Sequence, residues 1–581
     1  MTLVLRIAAT SSMCLVASCG SRPSSWDRGV DTTVTPYGLA NGVVLVDDVN
    51  HEAVALTSTP DHSLQTQRFT IGHNFASATP LPDLSALLLL STGDGPGAGN
   101  EQPSLTELQI AQGGKVTSTR FWMTQPVANL VVDPQLRYAI GYQGGTSRQS
   151  LAAQPNQVVF TNPNEIVLFD LTMKPFDPSQ PAGRTNVPNP VSRTLQSYGS
   201  SPQRLTFTPE MNLPPGSATA KKRRLVVVET KAEVTIVDLE RAFQMPPSVD
   251  ITVRLSSGTS ASSVTPAGLA VDTTNPDDGL LAERTDDHNV YTIQLVAPPP
   301  LAPGHTRPAN ANDFTASPTL TDVGGTPSDI AFVSTGSEVR IAALVPNIGQ
   351  AVLLRPDGSD VTSVVLPSSF SNMSIVTNLV APATTPMTGS IPADVALLWG
   401  ASRGAAGVAL WSLGSAVGQP YRSVDPLTVT DSITSVIDVP NSALKLLTTP
   451  QGSTNALYVL DLAHRTPSPI DSTGGSPYIS MAPDGGRFWL YIPSEQDVAS
   501  IDLGTVGETA TLNPTPVRTT SAISSVFDIA ACPSAMTDPK MCPRSLVALH
   551  AQGTFGATVF DARAPQSTKP QEDVGLLLEG P

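Results

Sequence analysis

The chain has 581 residues, of which 40% are apolar and only 14% charged, and its formal net charge is −16. It is too apolar for a disordered polymer and too long for one ordinary core, so it must be several domains, a repeat array or one large ring of repeats. The acidity disfavours nucleic acid and anionic headgroups as partners, and 54 prolines with 43 glycines leave little room for long helices.

The first element in chain order is an address. Arg6 precedes a short apolar stretch, Ile7 to Val16, and no acid occurs before Asp27. A basic start, a short apolar run and then small residues is the order of a secretory signal peptide, and the run falls short of the ~20 residues a membrane span needs. It ends Val16-Ala17-Ser18-Cys19-Gly20, which resembles the bacterial lipobox. The resemblance implies that residues 1–18 are a cleaved signal peptide and that Cys19 carries the lipid holding the mature chain to a membrane. Two or three acyl chains hold firmly, since each buried CH₂ contributes ~0.8 kcal/mol. Gly20, where an aspartate would retain a lipoprotein at the inner membrane, implies the outer membrane of the cell envelope, at its periplasmic face or at the cell surface. Residues 19–37, rich in Ser, Pro, Thr and Asp, read as a lipidated tether.

Residues 38–581 read as all-β. A strand ending in Asp-Leu recurs as Ile166-Val-Leu-Phe-Asp170-Leu171, Val234-Thr-Ile-Val-Asp238-Leu239, Leu457-Tyr-Val-Leu-Asp461-Leu462 and Val498-Ala-Ser-Ile-Asp502-Leu503. With looser copies the spacing is roughly 40 to 70 residues, the range of propeller blades. Each copy follows a strand opening near a proline (Pro126, Pro327, Pro477) and a second apolar strand, such as Tyr138 to Tyr142, Leu225 to Val228, Val339 to Leu344 or Phe488 to Ile492. A weaker fourth strand comes after it, as in Ile251 to Leu255. Turns such as Pro483-Asp484-Gly485 punctuate the units, because Pro presets φ and Gly supplies φ > 0. Four short strands per repeat is the signature of a blade. The unit Pro-x-x-Ile…Pro-Asp-Gly…Val-x-x-Ile-Asp-Leu over residues 477–503 resembles the YVTN-type propeller repeat. The expectation is a β-propeller of about seven to nine four-stranded blades, with the N-terminal strands Val43 to Asp48, Ala53 to Ser58 and Gln67 to Ile71 completing the last blade. Two tandem β domains joined at the proline-rich stretch Pro298 to Pro308 are the alternative.

The chemistry is read mostly from what does not assemble. The sequence has no Gly-x-Ser-x-Gly elbow, no Gly-x-x-x-x-Gly-Lys-Ser/Thr loop and no His-Glu-x-x-His pair. The glycine run Gly93 to Gly99 leads into Asn100, Glu101 and Pro103 rather than a helix, and so reads as a hairpin loop. Lys221-Lys222-Arg223-Arg224 reads as a solvated hairpin tip, with no second basic cluster to join it. His51, His62, His73, His288, His305, His464 and His550 show no metal-ligand spacing, and Asp277-Asp278-Gly279 and Asp286-Asp287-His288 read as acidic turns. No catalytic, cofactor-binding or metal residue is assigned. Cys532 and Cys542, ten apart in an exported domain, are expected to form a disulfide.

The expected function is a membrane-anchored, non-catalytic binding or interaction scaffold that presents a propeller face to a protein or small-molecule ligand. One alternative is a hydrolase of lactonase type with its site in the channel. Some propellers of similar repeat are lactonases or quinone-dependent dehydrogenases, but no residue here matches their motifs. The other is an envelope-assembly factor, by analogy with the propeller lipoprotein of the outer-membrane barrel assembly machine.

Overall fold

The computed structural model describes residues 34–573 apart from internal stretches, the longer being 145–161, 176–187, 257–263, 377–393, 401–406, 471–477 and 504–514. The signal peptide, Cys19 and the Pro483-Asp484-Gly485 turn lie outside the described residues. The described chain forms ten four-stranded antiparallel meanders: 35–70, 75–122, 129–194, 204–254, 266–322, 329–365, 372–426, 435–470, 478–518 and 523–573. They are called blades 1 to 10 below.

Ten hydrophobic clusters join them in a closed sequence. Each cluster takes residues from two neighbouring blades, running from 1–2 through 9–10. The tenth joins blade 10 (Ile529, Val547, Leu549, Ala557) to blade 1 (Val43, Leu45, Val54, Leu56). A cyclic set of face-to-face seams is the defining geometry of a β-propeller, and this ring has ten blades rather than seven to nine. The undercount has a local cause. The N-terminal strands do not complete the last blade. They form blade 1, whose first strand is Thr35–Leu39, a segment with too little apolar pattern to announce itself. The tandem-domain alternative also falls. Residues 297–314 connect the third and fourth strands of blade 5, which pair directly from Val296↔Thr315 to Asn289↔Asp322.

The sequence pattern of the middle strands follows from burial on both faces. Gly42–Asp47 (GVVLVD), Ala86–Ser91 (ALLLLS) and Leu225–Glu229 (LVVVE) are buried at every position. A strand covered on both faces carries a continuous apolar run rather than an alternation. Outer strands such as Val116–Trp122 expose much of their length. First strands of neighbouring blades touch around the axis, among them Phe75–Pro80 with Asn129–Val132 and Tyr478–Met481 with Ile523–Ala530, and so line the channel.

The Asp-Leu signature is structural. In blades 3, 4 and 9 its aspartate ends the third strand and meets an arginine at or just before the start of the second: Arg137–Asp170 at 3.7 Å, Arg223–Asp238 at 3.5 Å and Arg487–Asp502 at 3.7 Å. The following leucine N–H extends the ladder, as in Leu171 to Arg137 O (2.8 Å), Leu239 to Arg224 O (2.9 Å) and Leu503 to Gly486 O (3.0 Å). Two arginines of the basic cluster are therefore misread as solvated. Lys221 and Lys222 are exposed on a ribbon paired with Met211–Leu213, but Arg223 and Arg224 are buried. Arg223 also meets Asp313 at 2.8 Å, and Arg224 meets Asp133 of blade 3 at 2.6 Å. Arg241 donates to Ala311 O and Ala309 O, so it and Arg223 strap the proline-rich loop of blade 5 onto blade 4.

The closing seam lacks an exchanged strand, and among the described residues its eight buried apolar residues are fewer than in any other seam. Polar bolts supplement it. Ala530 N donates to Ala40 O (2.9 Å), Ser58 and Ser545 hydroxyls meet at 2.7 Å, and Gln571 Nε2 donates to Asp61 O at 2.9 Å. Cys532 and Cys542 are disulfide-bonded, with Cα atoms 5.0 Å apart. From the blade 2 turn, Gln112 Nε2 donates to Pro533 O (3.3 Å) and Met536 O in that disulfide loop, reaching past blade 1. Closing a loop of this size restrains the unfolded chain by ~2–3 kcal/mol. A Cys532→Ser/Cys542→Ser variant should therefore melt a few degrees lower and be cut sooner by protease within 532–542. Equal melting and equal proteolysis would show that the loop bears no load at the seam.

Candidate functional site at the channel mouth

Most polar clusters among the described residues are structural. The acidic turns are turns. Asp277 accepts from Asn212 N and Nδ2, while Asp287 accepts from Asn289 N and Nδ2. The described part of the glycine run lies between the second and third strands of blade 2, and its Asp94 meets His73 Nδ1 at 2.9 Å. His73 Nε2 meets Glu101 at 3.0 Å, and the ring of His51 stacks on it at 4.2 Å, so the fold brings together two histidines that lie on separate loops. Among the described residues no group of three or more His, Cys, Asp or Glu could hold a metal ion.

One cluster differs, at the mouth where the first strands begin. Arg204 opens the first strand of blade 4, and its side chain is 49% exposed. Its Nη1 donates to Ala267 O of blade 5 at 2.9 Å and lies 3.3 Å from Glu229 Oε2. Glu229 ends the second strand of blade 4 and is paired with Arg204 in register. Across the seam, Glu283 Oε1 accepts from Ala267 N and Gly268 N, both at 3.0 Å. Those two amides converge because the first strand of blade 5 carries a bulge between Pro266 and Gly268. Next to Glu283, Arg284 faces Gly268 in register and donates Nη1 to Pro327 O of blade 6 at 3.1 Å. Asp329 opens blade 6 and accepts from Ile330 N and from Met373 N of blade 7.

Burial sets the protonation of this cluster. Glu229 and Glu283 are at most 1% exposed, and Glu229 Oε1 and Glu283 Oε2 meet no hydrogen-bond partner. Desolvation disfavours a buried carboxylate, and a second carboxylate nearby disfavours it further. The Glu283 carboxyl is pushed up to about 8, by burial first and then by the charge of Glu229, while the two bulge amides pull against the rise. Glu229 is raised by burial, with Arg204 and Arg284 opposing. Asp329 is raised by burial as well. Burial lowers Arg284. Sequence reading missed the cluster because its members are spread along the chain from Arg204 to Asp329 and follow no motif. The only local trace is Glu283-Arg284, two charges within a strand whose other residues are largely apolar.

No protein-family model and no curated protein sequence matches the chain. Among solved structures, it is similar to dihydro-heme d1 dehydrogenase NirN in complex with DHE, at 13% identity and a TM-score of 0.36 over 86% of this chain and 77% of that one. It is similar to a structure described as the eukaryotic initiation factor at 11% identity and a TM-score of 0.37, over 75% and 87% of the two chains. A beta-propeller domain from Myceliophteria thermophila aligns at 13% identity and a TM-score of 0.25, over 59% of this chain and 92% of that one. Likenesses this low carry no functional argument, and the ten-bladed ring rests on its own strand pairing and seams.

A carboxyl whose native pKa lies above its unfolded value holds an extra proton in the folded state. Its contribution to stability is therefore present at low pH and is lost as pH rises from about 4.5 toward 8. Glu283→Gln keeps an acceptor for the bulge amides and removes the titration. Its melting temperature should fall less than that of the parent between pH 5 and pH 9, with the variant the more stable at pH 9. Parallel melting curves would place Glu283 ionised throughout.

Proposed function

We propose that this chain is an exported lipoprotein, anchored through lipid on Cys19, whose ten-bladed propeller is a non-catalytic binding scaffold with its ligand face at the channel mouth of blades 4 to 6. The observation that carries the binding reading is the contrast within the mouth cluster. Arg204 reaches solvent, whereas the carboxyls behind it, Glu229 and Glu283, are sealed from it. A general acid or base must reach the proton it transfers, and sealed carboxyls instead support the cations and amides in front of them. This weighs for binding over a lactonase-like hydrolase, whose case rests on the two buried carboxyls Glu229 and Glu283. The Cys532–Cys542 disulfide supports an oxidising compartment and hence export. The Val16-Ala17-Ser18-Cys19 run supports the anchor, and the outer membrane of the envelope is its proposed address.

Metabolic labelling tests the anchor. The full chain, expressed in a bacterium with an outer membrane, should take up labelled palmitate and sediment with the envelope. Cys19→Ala should take up none. A parent chain that stays unlabelled overturns the lipoprotein reading, whatever its fractionation.

A further inference from the structure

We propose that Arg204 and Arg284 form a clamp for the oxyanion of a small ligand, a carboxylate or a phosphate, held over the Ala267–Gly268 peptide at the channel mouth. The inference rests on the binding reading above and names the chemistry of its ligand.

Both guanidinium groups rest on that one peptide, Arg204 from blade 4 and Arg284 from the adjacent strand of the peptide's own blade. Arg204 is fixed to Ala267 O at 2.9 Å. A Cβ built on Gly268 would stand 2.7 Å from Arg284 Nε and 3.3 Å from its Cζ and Nη2, so the second guanidinium lies against the glycine. Each arginine uses only Nη1 in contacts with the protein: Arg204 with Ala267 O and Glu229, Arg284 with Pro327 O alone. Nε and Nη2 of both are left without a partner among the described residues. Arg284 is the sharper case, because it is partly buried and forms no ion pair among the described residues, with the charges of Asp329, Glu283 and Glu229 acting on it only from farther off. A guanidinium carries five N–H donors in a planar fork, suited to two oxygens of one carboxylate or phosphate. Two such forks over a single peptide offer four free nitrogens to one oxyanion.

The groups behind the clamp fit the same reading. Glu229 orients Arg204 from its buried side, and Asp329 spends its oxygens on the amides of Ile330 and Met373. Glu283 ties down the bulge that carries the peptide. In its neutral form it adds no negative charge beside the guest. The charged and titratable groups around Glu283 are Glu229, Arg204, Arg284 and Asp329, with Tyr142 of blade 3 beyond Arg204. Gly268 is needed for space rather than for backbone conformation. Any side chain there displaces the far end of Arg284, a flexible group, and leaves the fold alone.

The test is equilibrium dialysis of the detergent-solubilised full chain with labelled phosphate and, separately, labelled succinate, at constant ionic strength. The parent should bind at least one of the two, and which one it binds identifies the class of oxyanion. Arg204→Gln and Arg284→Gln should each weaken binding tenfold or more. Gly268→Ala should weaken it comparably with an unchanged melting temperature, which separates a lost clamp from a lost fold. Succinate binding should fall between pH 7 and pH 9, and Glu283→Gln should remove that fall. Binding of neither anion, or full binding by Gly268→Ala, overturns the clamp. Palmitate labelling at Cys19 is independent of these residues, so a chain that is labelled but does not bind anions loses the clamp and keeps the anchor.

Discussion

Everything in this molecule depends on burial between the faces of neighbouring blades. A four-stranded meander cannot bury two apolar faces by itself, and each blade here is stable only against the blade on either side. Fully burying one leucine or valine contributes ~1.5–3 kcal/mol, and among the described residues the seams hold from eight buried apolar residues of all kinds at the closing joint to fourteen between blades 4 and 5. The ring closes by the same face packing that builds it. Because no strand is exchanged, the closing joint relies on that packing, on its polar contacts and on the docked disulfide loop.

Charge is subordinate to the seams. Buried arginines such as Arg223, Arg224 and Arg544 are matched by aspartates, as in Arg544 Nε to Asp528 Oδ1 at 2.8 Å, where Asp528 also accepts from the buried indole of Trp489 at 3.0 Å. A buried charge left unpaired would cost several kcal/mol, so pairing is the rule wherever the blades press together. Single oxygens and nitrogens of several buried charged groups still lack a hydrogen-bond partner, among them Arg223 Nε and Arg224 Nε. The mouth of blades 4 to 6 differs in setting, because there Glu229 Oε1 and Glu283 Oε2 lie sealed behind a half-exposed arginine, Arg204.

Much of the architecture could be read along the chain. Strand type was legible in runs such as Ala86–Ser91 and Tyr138–Tyr142, because burial on both faces leaves an unbroken apolar record. The Asp-Leu signature was legible as a repeat, although its reason, an arginine facing the aspartate and a leucine amide extending the ladder, became apparent only in the fold. The blade count was not legible, since the channel strands are short and half-exposed. Thr35–Leu39 contains a proline and a glycine and has one buried residue in five. Lys221 to Arg224 read as one solvated hairpin tip because adjacent residues share a sequence neighbourhood but not an environment. Here an exposed ribbon carrying Lys221 and Lys222 runs into a seam that buries Arg223 and Arg224.

The sequence by itself determined the strands, their grouping in fours, the cysteine pair and the export-like N-terminus. All of these are local, set by burial period, turn chemistry and short spacings. Only the tertiary structure decided that there are ten blades, how the last meets the first, and that Arg204, Glu229, Glu283 and Arg284 share one mouth. Ring closure is a property of the summed angles between blades, which no single repeat encodes. The mouth cluster exists because blade 4 brings Arg204 against the bulged first strand of blade 5, where Arg284 already lies beside Gly268, and that contact joins residues whose positions along the chain have no reason to be compared.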